Sequence, residues 1–160
     1  MSSKLQVELK QSKPFSHLEE ELFLSLVRTV DLLGRAVADL LKEYDLSSAQ
    51  YNVLRILRGA GEQGLPCGEV GVRMVTRDPD ITRLLDRLEK RNLVARERAA
   101  ADRRIIVARI TPPGAAVLEK IDQPLQDLHQ RQLGHLDRAA METIIGNLAK
   151  IRQALKETKD

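Results

Sequence analysis

Apolar positions recur along this chain at two different periods, and the periods divide it into elements. Leu22, Leu26, Val30, Leu33, Val37, Leu40 and Leu41 keep a three-to-four step, which predicts a long helix ending near Tyr44. Ser16 with Glu19 has the spacing of a capping box at its start. Ser47 with Gln50 repeats that spacing, and Val53, Leu54 and Leu57 form the core side of a second helix that Gly59, Gly61 and Gly64 end. Pro66 and Gly68 open a short third helix, with Val70 and Met74 facing inward. A turn through Thr76-Arg77-Asp78-Pro79 leads to a fourth helix, which has Asp80 and Thr82 near its start. Ile81, Leu84, Leu85 and Leu88 give this helix one apolar face, and Arg83, Arg87 and Arg91 line another.

The pattern then turns β-prone, over Val94–Arg98 and again from Ile105 to Ile110. No Asn-Gly turn separates the two runs, so Ala99 to Arg104 form an extended tip. Thr111-Pro112 reads as an N-cap and first-turn proline. It opens a helix carrying Val117, Leu118, Ile121, Leu125 and Leu128, which Pro124 bends. Asp137 caps a last helix with Met141, Ile144, Leu148, Ile151 and Leu155 on one seam. The expected fold class is mainly α with a small β-wing. A winged helix-turn-helix lobe would occupy residues 47–111, with helical dimerisation regions over 16–46 and 112–160 and a flexible arm over 1–15. The terminal seams are the reason to expect a homodimer, since a lone chain leaves them partly exposed.

Charge sharpens this picture. The 160 residues carry a net charge of only +3. Between Arg73 and Arg104, however, ten basic residues stand against six acidic ones, a local +4 that leaves −1 for the remainder. A helix with a buried back and guanidinium groups in front has the form that enters a major groove. The four aromatics, Phe15, Phe23, Tyr44 and Tyr51, all lie outside the basic segment, which disfavours single-stranded nucleic acid and leaves duplex DNA as the partner. A single cysteine, Cys67, excludes an internal disulfide and a cysteine-rich zinc site. Neither a membrane-length apolar run nor a signal-peptide core is present, so a cytoplasmic protein without a membrane partner is expected.

Several of these residues together resemble the MarR family of dimeric winged-helix transcriptional regulators. They are Glu69-Val70, Arg73-Met74, the run Ile81-Thr82-Arg83-Leu84-Leu85-Asp86-Arg87-Leu88-Glu89, and Leu93-Val94. The wing Asp102-Arg103-Arg104 and the exit Ile110-Thr111-Pro112-Pro113-Gly114 follow at the family's distance, and the likeness extends over residues 16–157. Two features depart from it: Val75-Thr76 stand where the family's turn has glycine, and the approach Asp78-Pro79-Asp80 is unusually acidic. Acidic groups favour a helix N-terminus, so Asp78 reads as a cap, and repulsion of phosphate shifts the contacts toward Arg77, Thr82 and Arg83. Asp80 has the acceptor needed for a cytosine amino group. The resemblance implies Arg104, with Arg103, for the minor groove and Asp102 as the carboxylate that orients them. It also implies a small aromatic or phenolic effector, for which His17, Phe23 and Tyr51 are candidates that core packing explains equally well.

Other chemistry finds little support. His17, His129 and His135 are scattered without carboxylates at metal-ligand spacing, so neither metal nor cofactor is expected. No phosphate loop, nucleophile elbow or paired-carboxylate motif appears, so no enzyme is expected. Cys67, at the first turn of the third helix, could feel a pKa-lowering helix N-terminus; a small residue packing the helix entry is the stronger reading. The function expected is a DNA-binding regulator, a repressor, acting as a homodimer on a pseudo-palindromic duplex operator and released by its effector. The alternatives are a winged-helix protein-interaction module that binds an acidic partner and a small enzyme using the helical cavity.

Overall fold

The computed structural model describes residues 3–76, 80–99 and 102–157. Its helices are α1 (Lys4–Glu8), α2 (Leu18–Lys42), α3 (Ser48–Ala60), α4 (Cys67–Val72), α5 (Ile81–Lys90), α6 (Pro112–Leu133) and α7 (Arg138–Glu157). Its strands are β1 (Leu65–Pro66), β2 (Val94–Arg98) and β3 (Ile106–Ile110), in the order β1-β3-β2. The fold is thus mainly α with a small antiparallel wing sheet, as the periodicity predicts, though the sheet has three strands where two were expected. The chain divides into two compact units, residues 1–125 and 126–160.

In the first unit the core is built from one side of each element. Leu41, Val53, Leu54, Leu57, Val70, Leu85, Leu88, Val94, Leu118 and Ile121 are fully buried. The starts of the helices are mostly set locally. Ser47 and Gln50 form a reciprocal capping box on α3. Thr111 Oγ1 accepts the Gly114 N–H at 3.1 Å and donates to the Asn92 carbonyl. Gly114 has no room for a side chain, because a Cβ there would lie 2.2 Å from the Leu93 carbonyl oxygen. Its absence lets α6 start directly against the approach to β2. Asn92, in the left-handed region at φ 56°, ends α5 with its own N–H on Glu89 and that of Leu93 on Leu88.

Pro124 lies inside α6 and has no N–H for the Lys120 carbonyl. The hydroxyl of Tyr44 donates to that oxygen instead, at 3.2 Å. Nearby, Arg58 of α3 grips Asp122 of α6 through two bonds of 2.7 and 2.9 Å.

Three features differ from the sequence reading. Residues 4–8 of the expected flexible arm form one helical turn, capped by Ser3 and burying Leu5. The Ser16–Glu19 box does not form: α2 begins at Leu18, with extended His17 as a cap that makes no side-chain bond. Glu19, Glu20 and Glu21 supply anions to that N-terminus instead. The two-residue β1 pairs with Val107 and Ala108 just before α4, a strand too short to leave a periodic signal.

The second unit holds the end of α6 and α7. Gly134 and Leu136 donate to Gln130 and Leu133 across the turn, and Asp137 caps α7 by accepting the Ala140 N–H at 2.7 Å. No residue of α7 is buried, and Ile144, Ile145, Ile151 and Leu155 are all exposed.

Candidate nucleic-acid interface

α5 is amphipathic in the literal sense. Leu84, Leu85 and Leu88 are buried, while Thr82, Arg83, Arg87 and Lys90 are exposed. Its cap is Asp80, whose carboxylate accepts the Arg83 N–H at 3.0 Å. The second oxygen lies 3.6 Å from Arg83 Nε, so one aspartate both starts the helix and holds its first arginine. Arg77 and Asp78 lie outside the described residues. Arg91 does not join the basic face that the spacing suggests. Its guanidinium turns to the Asp45 backbone carbonyl, with Nη2 also 3.3 Å from that residue's carboxylate, tying the end of α5 to the loop before α3.

The wing presents a second cationic group. Arg104 is 91% exposed, yet its backbone N–H, Nε and Nη2 all reach the Asp102 carboxylate, at 3.0, 3.2 and 3.2 Å. Those bonds, side chain first, hold the Asp102 carboxyl below its ordinary pKa. Asp102 and Arg104 are thus paired within the wing. Arg103 is exposed beside it, and its carbonyl accepts from Arg98 at 3.5 Å.

A clasp that the sequence reading did not single out joins wing to helix. Arg96 of β2 reaches two carboxylates one turn apart on α5, Asp86 at 2.5 Å and Glu89 at 2.6 Å. Glu89 accepts the Arg96 backbone N–H as well, at 3.2 Å. The side-chain bond from Arg96 lowers the Glu89 pKa, and the reciprocal bond raises that of Arg96. The available signal was the pair of acids at positions 86 and 89 on an otherwise basic helix. Glu97 is engaged with Arg109 of β3, which also donates to the Glu62 carbonyl at 2.7 Å.

Cys67 is half-buried. Burial pushes its thiol up, and the nearby Arg96 only partly counters this. Of the effector candidates, His17, the cap before α2, and Phe23, on the N-terminal part of that helix, are both exposed. Tyr51 is half-buried on α3, where burial raises its hydroxyl pKa against the opposing influence of Arg55. Two pockets are lined by other residues, one by Ala38, Lys42, Asp45 to Ser48 and Gln50, the other by Asp127, Gln130, Arg131 and Gly134. Among the described residues no three potential metal ligands gather, and no helix is long and apolar enough to cross a membrane.

Comparison with known proteins agrees with this arrangement. Residues 44–105 match the family model described as MarR family. The MarR transcription factor of Planctomyces limnophilus is 36% identical, with a TM-score of 0.66 over 88% of this chain and 98% of that one. A mutant MarR from E. coli, solved in complex with operator DNA, is 28% identical, with a TM-score of 0.75 over 85% of this chain and 99% of that one. The HTH-type transcriptional repressor MdtR of Bacillus subtilis is 28% identical over 89% of this chain and 90% of its own. Another curated relative, 29% identical, is spanned over 64% of its length. An amphipathic α5 with a basic front, a wing with a paired arginine, and these likenesses place the chain in the MarR family of transcriptional regulators, which bind DNA and are not enzymes.

Proposed function

We propose that the chain acts as a homodimeric repressor on a pseudo-palindromic duplex operator. Each protomer would place α5 in the major groove and its wing in the adjacent minor groove. The observation that carries this reading is the exposed row Thr82, Arg83 and Arg87, backed by the buried Leu84, Leu85 and Leu88. Arg83 is aimed by Asp80, which also offsets the acidity of the approach by committing its charge to the helix start. Arg77, outside the described residues, is a further candidate contact. Arg104, steadied by Asp102, and Arg103 supply the minor-groove contacts. Residues 47–111 form the DNA-binding region on this reading, and residues 16–46 with 112–160 the dimerisation region, whose exposed apolar side chains on α2 and α7 face the second copy. Repression fits the name of the Bacillus relative, and the site of action is the cytoplasm.

Release follows from binding of a small aromatic or phenolic effector beside Tyr51, whose hydroxyl sits between apolar burial and the charges of Arg55, Arg58 and Asp122. His17 and Phe23 would complete that site. The effector acts by preferring one spacing of the paired DNA-binding regions over another. The test is selection of duplexes from a randomised pool, followed by Arg83→Ala and Arg104→Ala on the enriched sites. Arg83→Ala is expected to relax base preference at one position by roughly 1–3 kcal/mol. Arg104→Ala is expected to lower overall affinity and the preference for A·T flanks. Discrimination left intact by Arg83→Ala would remove α5 from the recognition role. Binding without preference among duplexes would instead favour an acidic protein as the partner.

A further inference from the structure

The amides at the end of α4 are accounted for one by one. Arg73 N–H is shared between the carbonyls of Glu69 and Val70, each at 3.2 Å, and Met74 N–H goes to Gly71 at 3.3 Å. The next donor, Val75 N–H, leaves this ladder. It is taken by Oδ1 of Asn52, 2.8 Å away on α3 and 23 residues earlier in the chain.

The two ends of that bond are unlike. Asn52 is buried, at 8% exposure, whereas the Val75 side chain is 77% exposed and Thr76 is exposed too. Asparagine is a poor residue for a helix interior, and a buried amide requires a partner. Here the partner is the backbone of a surface turn. Val75 and Thr76 are β-branched residues that do not themselves select a turn. The backbone at Val75, where the chain leaves α4, is therefore held from across the fold.

We infer that Asn52 is a positioning residue for DNA recognition, its side-chain oxygen setting the backbone where the chain leaves α4 for α5. It touches no DNA itself. Its effect lies in where Thr82 and Arg83 are presented, a placement that specific contacts require to within a fraction of an ångström and that loose phosphate contacts do not. The inference rests on the reading of α5 as the recognition helix.

The experiment compares Asn52→Leu, close in shape but without an acceptor, with Asn52→Asp, which keeps one. Duplexes enriched by the wild-type protein and a heterogeneous DNA competitor give the ratio of specific to non-specific affinity, and hydrogen exchange follows the Val75 amide. The expected result is a protected Val75 amide in the wild type that loses protection in Asn52→Leu. The affinity ratio should fall about tenfold in that variant, as for one lost hydrogen bond, with non-specific affinity held within about twofold. Asn52→Asp should recover most of the ratio. A Val75 amide unprotected in the wild type overturns the inference, and so does equal loss on both kinds of DNA or an unchanged ratio in Asn52→Leu. If Asn52→Leu does not fold, the wild-type amide and the ratio in Asn52→Asp decide on the same terms. Arg83→Ala on the same duplexes keeps the two ideas apart. An unchanged ratio there removes the recognition-helix reading itself, whatever Asn52→Leu does.

Discussion

Arg96 sits among ten basic residues that a charge count treats alike, and its guanidinium is committed to Asp86 and Glu89 of α5 rather than left for phosphate. The carboxylates remain partly open to water, so Arg96→Met should cost only about 1 kcal/mol at neutral pH. The sign with pH follows from Glu89, whose pKa is lowered in the fold by the bond from Arg96. Its contribution is complete above the unfolded carboxylate pKa and is lost as pH falls through the folded one. Urea unfolding of wild type and variant should therefore differ most at neutral pH and converge in acid below the ordinary carboxylate range. A gap independent of pH would mean that Arg96 acts through the packing of its stem. The sequence made the basic segment legible but not which of its cations are taken. Arg91 and Arg96 find their partners on other elements, and Asn52 finds its partner 23 residues away, so tertiary register decides what each side chain meets.

Caps at Ser47, Thr111 and Asp137 were legible because donor and acceptor lie within three residues, though the same spacing at Ser16 and Glu19 forms none. The start of α5 shows where the local signal runs short. Three residues of the approach, Asp78, Pro79 and Asp80, all suit a helix start; the side chain of Asp80 accepts from the helix, and Asp78 and Pro79 lie outside the described residues. A substitution pair separates its capping role from a role in reading bases. Asp80→Ala should lower stability by about 1 kcal/mol in thermal or urea unfolding, while Asp80→Asn, an equally good cap, should leave stability nearly unchanged. Since asparagine removes the charge facing Arg83 while keeping the cap, any change in base preference seen with Asp80→Asn would belong to recognition and not to the helix. Equal stability in both variants would show that the cap contributes nothing. Elements such as α1 and β1 escaped the sequence reading for a different reason. Each is too short for a period, and β1 exists only because β3 supplies its partner.

Many apolar side chains of α2 and α7 lie in water in the isolated chain. Val30 is 67% and Ile145 64% exposed, which makes them sensitive probes of self-association with little effect on the fold. Val30→Lys and Ile145→Lys, each alone, should shift sedimentation from dimer to monomer at micromolar concentration while keeping the helical circular dichroism, because a charge buried in an interface is costly. Binding to a two-half-site duplex should weaken with the loss of the dimer. A wild-type chain that sediments as a monomer would remove the proposed dimer. One feature of α6 bears on how such a protein yields under load. The helix behaves as a beam clamped at one end, where Gly114 sits against the Leu93 carbonyl and leaves no slack. One of its rungs is missing at Pro124, and the gap is propped sideways by the Tyr44 hydroxyl. Stiffness along α6 is therefore uneven. Compliance gathers around the propped rung, because a side-chain prop can swing away while no backbone donor exists to take its place.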